Sequence, residues 1–210
     1  MEILPTKILS GRVSDLILIQ AASALINRNK NCLPYRMKLL LYNALVVSNL
    51  NYCSEVWGGS ESQLGKLEKA QKRCIRIVTN SRYNAHSQPL FHKTNTLALK
   101  DIIELNYLKL GNRVLLNLEP KVISDIFPKK LKSNTRSDNK TLLEVPKVNC
   151  GLEKRSPQYK VPIAWNRATH YGFKLLTSTK SLTKNFKIRM NMIYSYFNCE
   201  LSKCYPCGKH

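Results

Sequence analysis

The acidic residues of this chain are scattered, and no two of its 13 aspartates and glutamates are adjacent. Nucleotidyl transfer on two metal ions needs carboxylates that converge on both cations. The closest pair is Asp101 and Glu104, three apart on a predicted helix and so roughly on one face. Two residues on one helix make a poor metal site without a third ligand. They read instead as surface acids near a helix N-terminus, where the dipole favours them. No G-x-S-x-G context supplies a hydrolytic nucleophile. The expectation is a chain that is no enzyme by itself, with no catalytic residue and no cofactor.

A second group has ligand chemistry. The stretch NCELSKCYPCGKH holds Cys199, Cys204, Cys207 and His210. Cys204 and Cys207 have the spacing of a zinc half-site, and all four are legitimate ligand types. The whole pattern is tighter than usual zinc modules, so it reads as tail cysteines without metal, with a small zinc site as the alternative. The seven cysteines are an odd number, and Cys32, Cys53, Cys74 and Cys150 are widely spaced. That usage fits reduced thiols better than a disulfide framework. The apolar run Leu16–Ile19 is too short for a signal peptide and is flanked by Asp15 and Gln20. No stretch approaches the roughly 18–20 apolar residues of a membrane span. An intracellular protein, nuclear or cytoplasmic, is expected, neither secreted nor membrane-bound.

Cations are the most informative group. Lysine and arginine number 34 and set a formal charge of +21, while a 43% hydrophobic content still suits a globular chain. So basic a chain repels itself unless a polyanion neutralises it. Residues 66–82 hold six cations against one acid, and from Lys154 to Cys199 nine basic residues occur with no acid at all. Phosphate-backbone binding explains this better than a merely solvated face. The expected contacts are Lys66, Lys69, Lys72, Arg73 and Arg76, then Lys129, Lys130 and Lys132, and Arg155. Tyr83, Tyr159, Tyr171, Tyr194 and Tyr196 are interleaved among these cations and offer faces for stacking on bases, but half-buried packing is the favoured reading for most of them.

The elements that must position these groups are mainly helical. Apolar periodicity predicts helices over 13–27, 35–50, 67–78, 96–118 and 180–197. Pro34 precedes the second, Ser60 or Ser62 can cap the third, and Pro120 lies past the fourth, with Gly111 inside it marking a kink or an early stop. Residues 81–95, polar and containing Pro89, read as a connecting loop. The expected order is an N-terminal extension (1–12), a helical bundle (13–120), a Pro-rich basic linker or exposed segment with short strands (121–158), a small α or α+β segment (159–198) and the Cys-rich tail (199–210). Within residues 67–78, LEKAQKRCIRIV, the cations occupy one arc and Gln71 interrupts the opposite apolar arc. A buried amide must be bonded or cost about 1–3 kcal/mol. Gln71 is therefore predicted to clamp this helix to the loop around Tyr52–Trp57, the alternative being a glutamine at the edge of the stripe that reaches water.

Three stretches in order carry a family resemblance. LPYRMKLLLYNALVVSNLNYCSEVWG (33–58) runs from a tyrosine-bearing helix into a tryptophan-glycine turn. LEKAQKRCIRIVTNSRYNAHSQPLF (67–91) has a glutamine amid basic residues and ends in a proline-leucine-phenylalanine turn. RSPQYKVPIAWNRATHYGFKLLTSTKSLTKNFKIRM (155–190) carries a tryptophan-asparagine pair at Trp165. Together they resemble the region after the catalytic palm in reverse transcriptases of non-LTR (LINE-type) retrotransposons. The resemblance covers roughly residues 15–197. It implies that residues 15–118 form a helical thumb gripping a primer–template duplex, with the basic helix at Lys66–Arg76 and Gln71 in the place of the family's glutamine. It also implies fingers and palm domains as missing partners, since the family's alanine-aspartate-aspartate signature is absent.

The expected function is therefore that of a non-catalytic C-terminal fragment of an RNA-directed DNA polymerase, binding RNA, DNA or hybrid duplex. The alternative is a domesticated or host interaction module that reuses the thumb fold without nucleic-acid binding.

Overall fold

A computed structural model describes residues 4–128, 142–171 and 176–195. Among the described residues the α-helices in chain order are α1 (Leu4–Arg28), α2 (Tyr35–Tyr42), α3 (Ser48–Asn51), α4 (Ser54–Trp57), α5 (Glu61–Val78), α6 (Ser87–Thr94), α7 (Leu99–Leu115), α8 (Lys121–Ser124), α9 (Pro157–His170) and α10 (Thr179–Ser195). A π-helical turn (Asn43–Val47) joins α2 to α3, and a 3₁₀ turn (Glu153–Arg155) precedes α9. The protein is mainly α. No strand occurs among the described residues, and where short strands are expected the described residues 142–152 have irregular backbone.

The chain divides into two compact units that do not follow its linear order. One comprises Met1–Tyr52, Glu61–Ile102 and Lys187–His210; the other comprises Cys53–Ser60 and Ile103–Phe186. The linear scheme of bundle, linker and C-terminal segment therefore differs from the observed grouping. Periodicity reports which residues are apolar, and leaves open which distant segment covers them.

In the first unit α1 lies along α5 and the π-helical turn. Ile19, Ala22, Ser23 and Ile26 recur at helical spacing and are buried, as are Leu67, Cys74, Ile75 and Val78 of α5. The Ser23 hydroxyl returns to the Ile19 carbonyl (2.8 Å), which satisfies it inside the packed face. The Val46-Val47 pair falls in the π-helical turn. There a widened ladder displaces carbonyls, and side chains four residues on recover them. Asn49 donates to the Leu45 carbonyl (2.7 Å), Asn51 to that of Val47 (3.0 Å), and Ser48 to that of Ala44.

Two helices of this unit stop at asparagines in the left-handed region, Asn80 (φ 52°) and Asn95 (φ 50°). Ser81 and Asn80 donate back to Arg76 and Ile77, and Thr96 and Asn95 to Phe91 and His92. Both are Schellman closures, in which asparagine fills the position glycine usually takes. Residues 81–95 thus contain a helix where a loop is expected. Pro89 is the third residue of α6, and in a first turn its missing N–H has no intrahelical partner to lose.

In the second unit the core gathers around Trp165, with Leu108, Leu143, Val161, Leu182 and Phe186 all buried. Gly111 does not end α7, which continues to Leu115. A Cβ there would lie 2.8 Å from Trp165 Cε3, so glycine admits the indole against the helix backbone. Asn166 binds the Leu143 backbone on both sides, donating to its carbonyl (2.8 Å) and accepting from its N–H (3.0 Å). This amide bracket anchors the irregular segment to α9, which starts at Pro157, a favoured first-turn proline. Helix α7 ends in a third asparagine closure, with Asn117 at φ 55° and Leu118 donating to the Arg113 carbonyl (2.9 Å).

Candidate nucleic-acid interface

Gln71 is the point from which the basic helix is held. It is fully buried in α5. Its Nε2 donates to the Tyr42 hydroxyl (3.1 Å) and the Leu97 carbonyl (3.0 Å), and its Oε1 accepts from the Leu99 N–H (2.8 Å). Leu99 opens α7, so its N–H is among those a helix cannot satisfy internally. The expected anchor at Tyr52–Trp57 is thus corrected: the amide joins α5 to α2 and to the chain entering α7. The reason is that the unwound residues before α7 present free backbone groups to the buried face of α5. Burial, partly offset by the Gln71 bond, pushes the Tyr42 phenol well above its ordinary range. Tyr52 is itself exposed, whereas Trp57 and Trp165 are buried core residues of the second unit.

With the apolar face fixed, the five cations turn outward over roughly a third of the circumference. They divide into two rows. Lys66, Lys69 and Arg73 are exposed and line a groove of about 650 Å³ with Gln20, Asn27 and Arg28 of α1. None of these three cations has a hydrogen bond or ion pair among the described residues. Lys72 and Arg76 are half-buried on the other flank. Lys72 pairs with Glu68 (2.6 Å), and Arg76 Nε donates to the Ala85 carbonyl (2.7 Å). Partial burial lowers the affinity of the Arg76 guanidinium for its proton from the ordinary value. The single cationic face expected over 66–76 is therefore split, because residues three and four apart diverge across the helix until one row meets α1 and the other meets the 84–88 segment.

Arg155 is exposed and belongs to the second unit, where its carbonyl packs so closely on Gly59 that a Cβ there would approach to 1.9 Å. Lys129, Lys130 and Lys132 lie outside the described residues, as do Cys199, Cys204, Cys207 and His210. The two nearest carboxylates have separate engagements. Asp101 accepts from the Tyr194 hydroxyl, and Glu104 pairs with Arg167 (2.7 Å).

Sequence reasoning passed over the flank beyond Lys72 and Arg76. There His86, Gln88, Lys100 and Asp101 share a groove of about 670 Å³ with Met190, Ile193 and Tyr194. Its only local signal was the helix at 87–94, hidden by Pro89. Burial first, then the charges of Lys72 and Arg76, pull the His86 imidazole below its usual value.

No family model matches the chain, and neither the curated proteins nor the solved structures contain a match. Among the described residues, no helix is long and apolar enough to cross a membrane.

Proposed function

We propose that this chain is a non-catalytic, nucleic-acid-binding region of a non-LTR retrotransposon reverse transcriptase, downstream of the palm. The observation that carries the reading is the row Lys66, Lys69 and Arg73, exposed beside Arg28 along the α1–α5 groove and without a hydrogen bond or ion pair among the described side chains. Exposed cations on a chain of net charge +21 gain most from a phosphate backbone. The ordered motifs at 33–58, 67–91 and 155–190 support the family, and the mainly helical architecture accords with a thumb. Polymerisation belongs to the palm and fingers of the parent enzyme, as does the choice of template.

The test is a binding isotherm of the full chain on an RNA–DNA hybrid at several salt concentrations. Log affinity should fall linearly with log salt. Replacing Lys66, Lys69 and Arg73 by glutamine should flatten the slope by about 0.9 per charge removed. Absence of binding at low salt, or an unchanged slope in the triple variant, overturns the reading. Primer extension by the pure chain should give no product.

A second reading is favoured by a different observation. Ile17, Leu18 and Leu25 of α1 and Met37 and Leu40 of α2 are exposed apolar residues, as on surfaces that meet other proteins. On that reading the chain is a protein-interaction module that reuses the thumb fold, and it binds no hybrid at any salt concentration.

A further inference from the structure

The groove on the far flank of α5 is built differently from the α1–α5 groove. Three cations border it: Lys72 and Arg76 from α5, and Lys100 from α7. Glu68 stands between the lysines, 2.6 Å from Lys72 and 3.9 Å from Lys100, and the side chain of Lys100 is 74% exposed. Asp101 is engaged by Tyr194, whose hydroxyl also accepts from the Ala98 N–H (3.2 Å). Burial, and after it the charges of Lys72 and Arg76, disfavour the protonated His86 ring. The Gln88 Oε1 atom is buried without a hydrogen-bond partner, a polar group that a ligand donor or a reversed amide would satisfy. Met190 and Ile193 of α10 add apolar side chains to the lining of the same groove. At about 670 Å³ the space far exceeds a bare phosphate and lies within the range of small-molecule sites.

We infer that this groove binds a phosphomonoester carried on a nucleoside-sized group, with the phosphate among Lys72, Arg76 and Lys100 and the remainder against Met190 and Ile193. The phosphate is supplied either by a free nucleotide or by the phosphorylated end of a nucleic-acid strand. The site stands apart from the Lys66–Lys69–Arg73 row and does not depend on its role.

The experiment is an NMR titration of the full chain, following the His86 ring with a nucleoside 5′-monophosphate, the parent nucleoside and inorganic phosphate. The monophosphate should bind, raise the His86 pKa and bind more tightly as pH falls through the range where His86 protonates. Among the described residues, the charged groups that line the groove with His86 are Glu68, Lys72 and Arg76 from α5 and Lys100 and Asp101 from α7, and Tyr194 of α10 is a further titratable group there. Inorganic phosphate should bind more weakly, and the nucleoside should leave His86 unmoved. No response to the monophosphate, or an equal response to the nucleoside, overturns the site.

Lys100→Gln, at a largely exposed side chain, should preserve the melting temperature and weaken the monophosphate about threefold; unchanged affinity also overturns it. With Lys66, Lys69 and Arg73 replaced by glutamine, monophosphate binding should persist while hybrid binding falls, so the two functions fail separately. In that background, a 5′-phosphorylated strand that moves His86 more than its 5′-hydroxyl counterpart assigns the strand end as the source. Equal responses, with the monophosphate still binding, support the site and assign the free nucleotide.

Discussion

Gln71 of α5 and Leu99 at the head of α7 are joined by a 2.8 Å bond from the Leu99 N–H to the glutamine Oε1, while the same amide donates to the Leu97 carbonyl. A side chain on one helix thereby supplies what a capping residue would supply to another. The arrangement has a counterpart in the second unit, where Asn166 brackets Leu143 in the same two-sided way. Each amide lets irregular backbone be buried without orphaned polar groups.

Gln71→Leu keeps the volume and removes three bonds. It leaves the Leu97 carbonyl and the Leu99 N–H unpaired in a buried site, and the Tyr42 hydroxyl with Thr96 as its remaining partner. A loss of about 3 kcal/mol is expected in a urea denaturation curve. Because the basic row turns outward only while α5 is seated, the salt slope for a hybrid should be measured on the folded fraction.

Gly111→Ala sets a helix-propensity gain of about 1 kcal/mol against overpacking of about 1–3 kcal/mol. The obstructing atom is Trp165 Cε3, at 2.8 Å, part of a rigid and fully buried ring. Overpacking should win. The melting temperature should fall and the tryptophan emission should shift, whereas Gly65→Ala, with nothing near its Cβ, should stabilise α5.

Asn95 closes α6 at φ 50°. Glycine at this position should be neutral or better, and valine should cost about 1–2 kcal/mol, because a β-branched side chain is strained in that region. Thermal melts of the pair, compared with the same substitutions at Asn80, measure the cost.

Alkaline titration should show tyrosines that resist ionisation. Burial raises the phenol of Tyr42, and that of Tyr194 with the Asp101 charge adding to it. Burial and then Glu55 push Tyr107 up to about 12. The unfolded state releases these protons first. The stability they contribute is fully present below the ordinary tyrosine value near 10 and is lost as pH rises through the folded values. Phenolate absorbance at pH 11 should therefore fall short of that expected for all 10 tyrosines until denaturant is added. The sign reverses for His86: its lowered value makes stability fall as pH drops below the usual imidazole range.

Local chemistry made much of this protein legible in advance. Apolar spacing placed α1, α5, α7 and α10 to within a few residues at their described ends, with Ser60 or Ser62 as the cap of α5 and apart from the N-terminal reach of α1, because a helix face repeats on a scale that a short window contains. It also marked Gln71 as the amide that would have to be bonded, since its position within the apolar arc follows from α5 alone. Proline misled at Pro89, where only knowing that the residue sits in a first turn removes its penalty. Gly111 looked like a break because a missing side chain has two meanings, a flexible backbone or a partner's close approach, and Trp165 lies 54 positions away in sequence. Which groups Gln71 binds, which cations keep their charge unpaired and which groove each row faces were decided by tertiary packing. Those outcomes depend on segments separated by long stretches of chain, and only the packed core brings their backbone amides and charges within bonding distance.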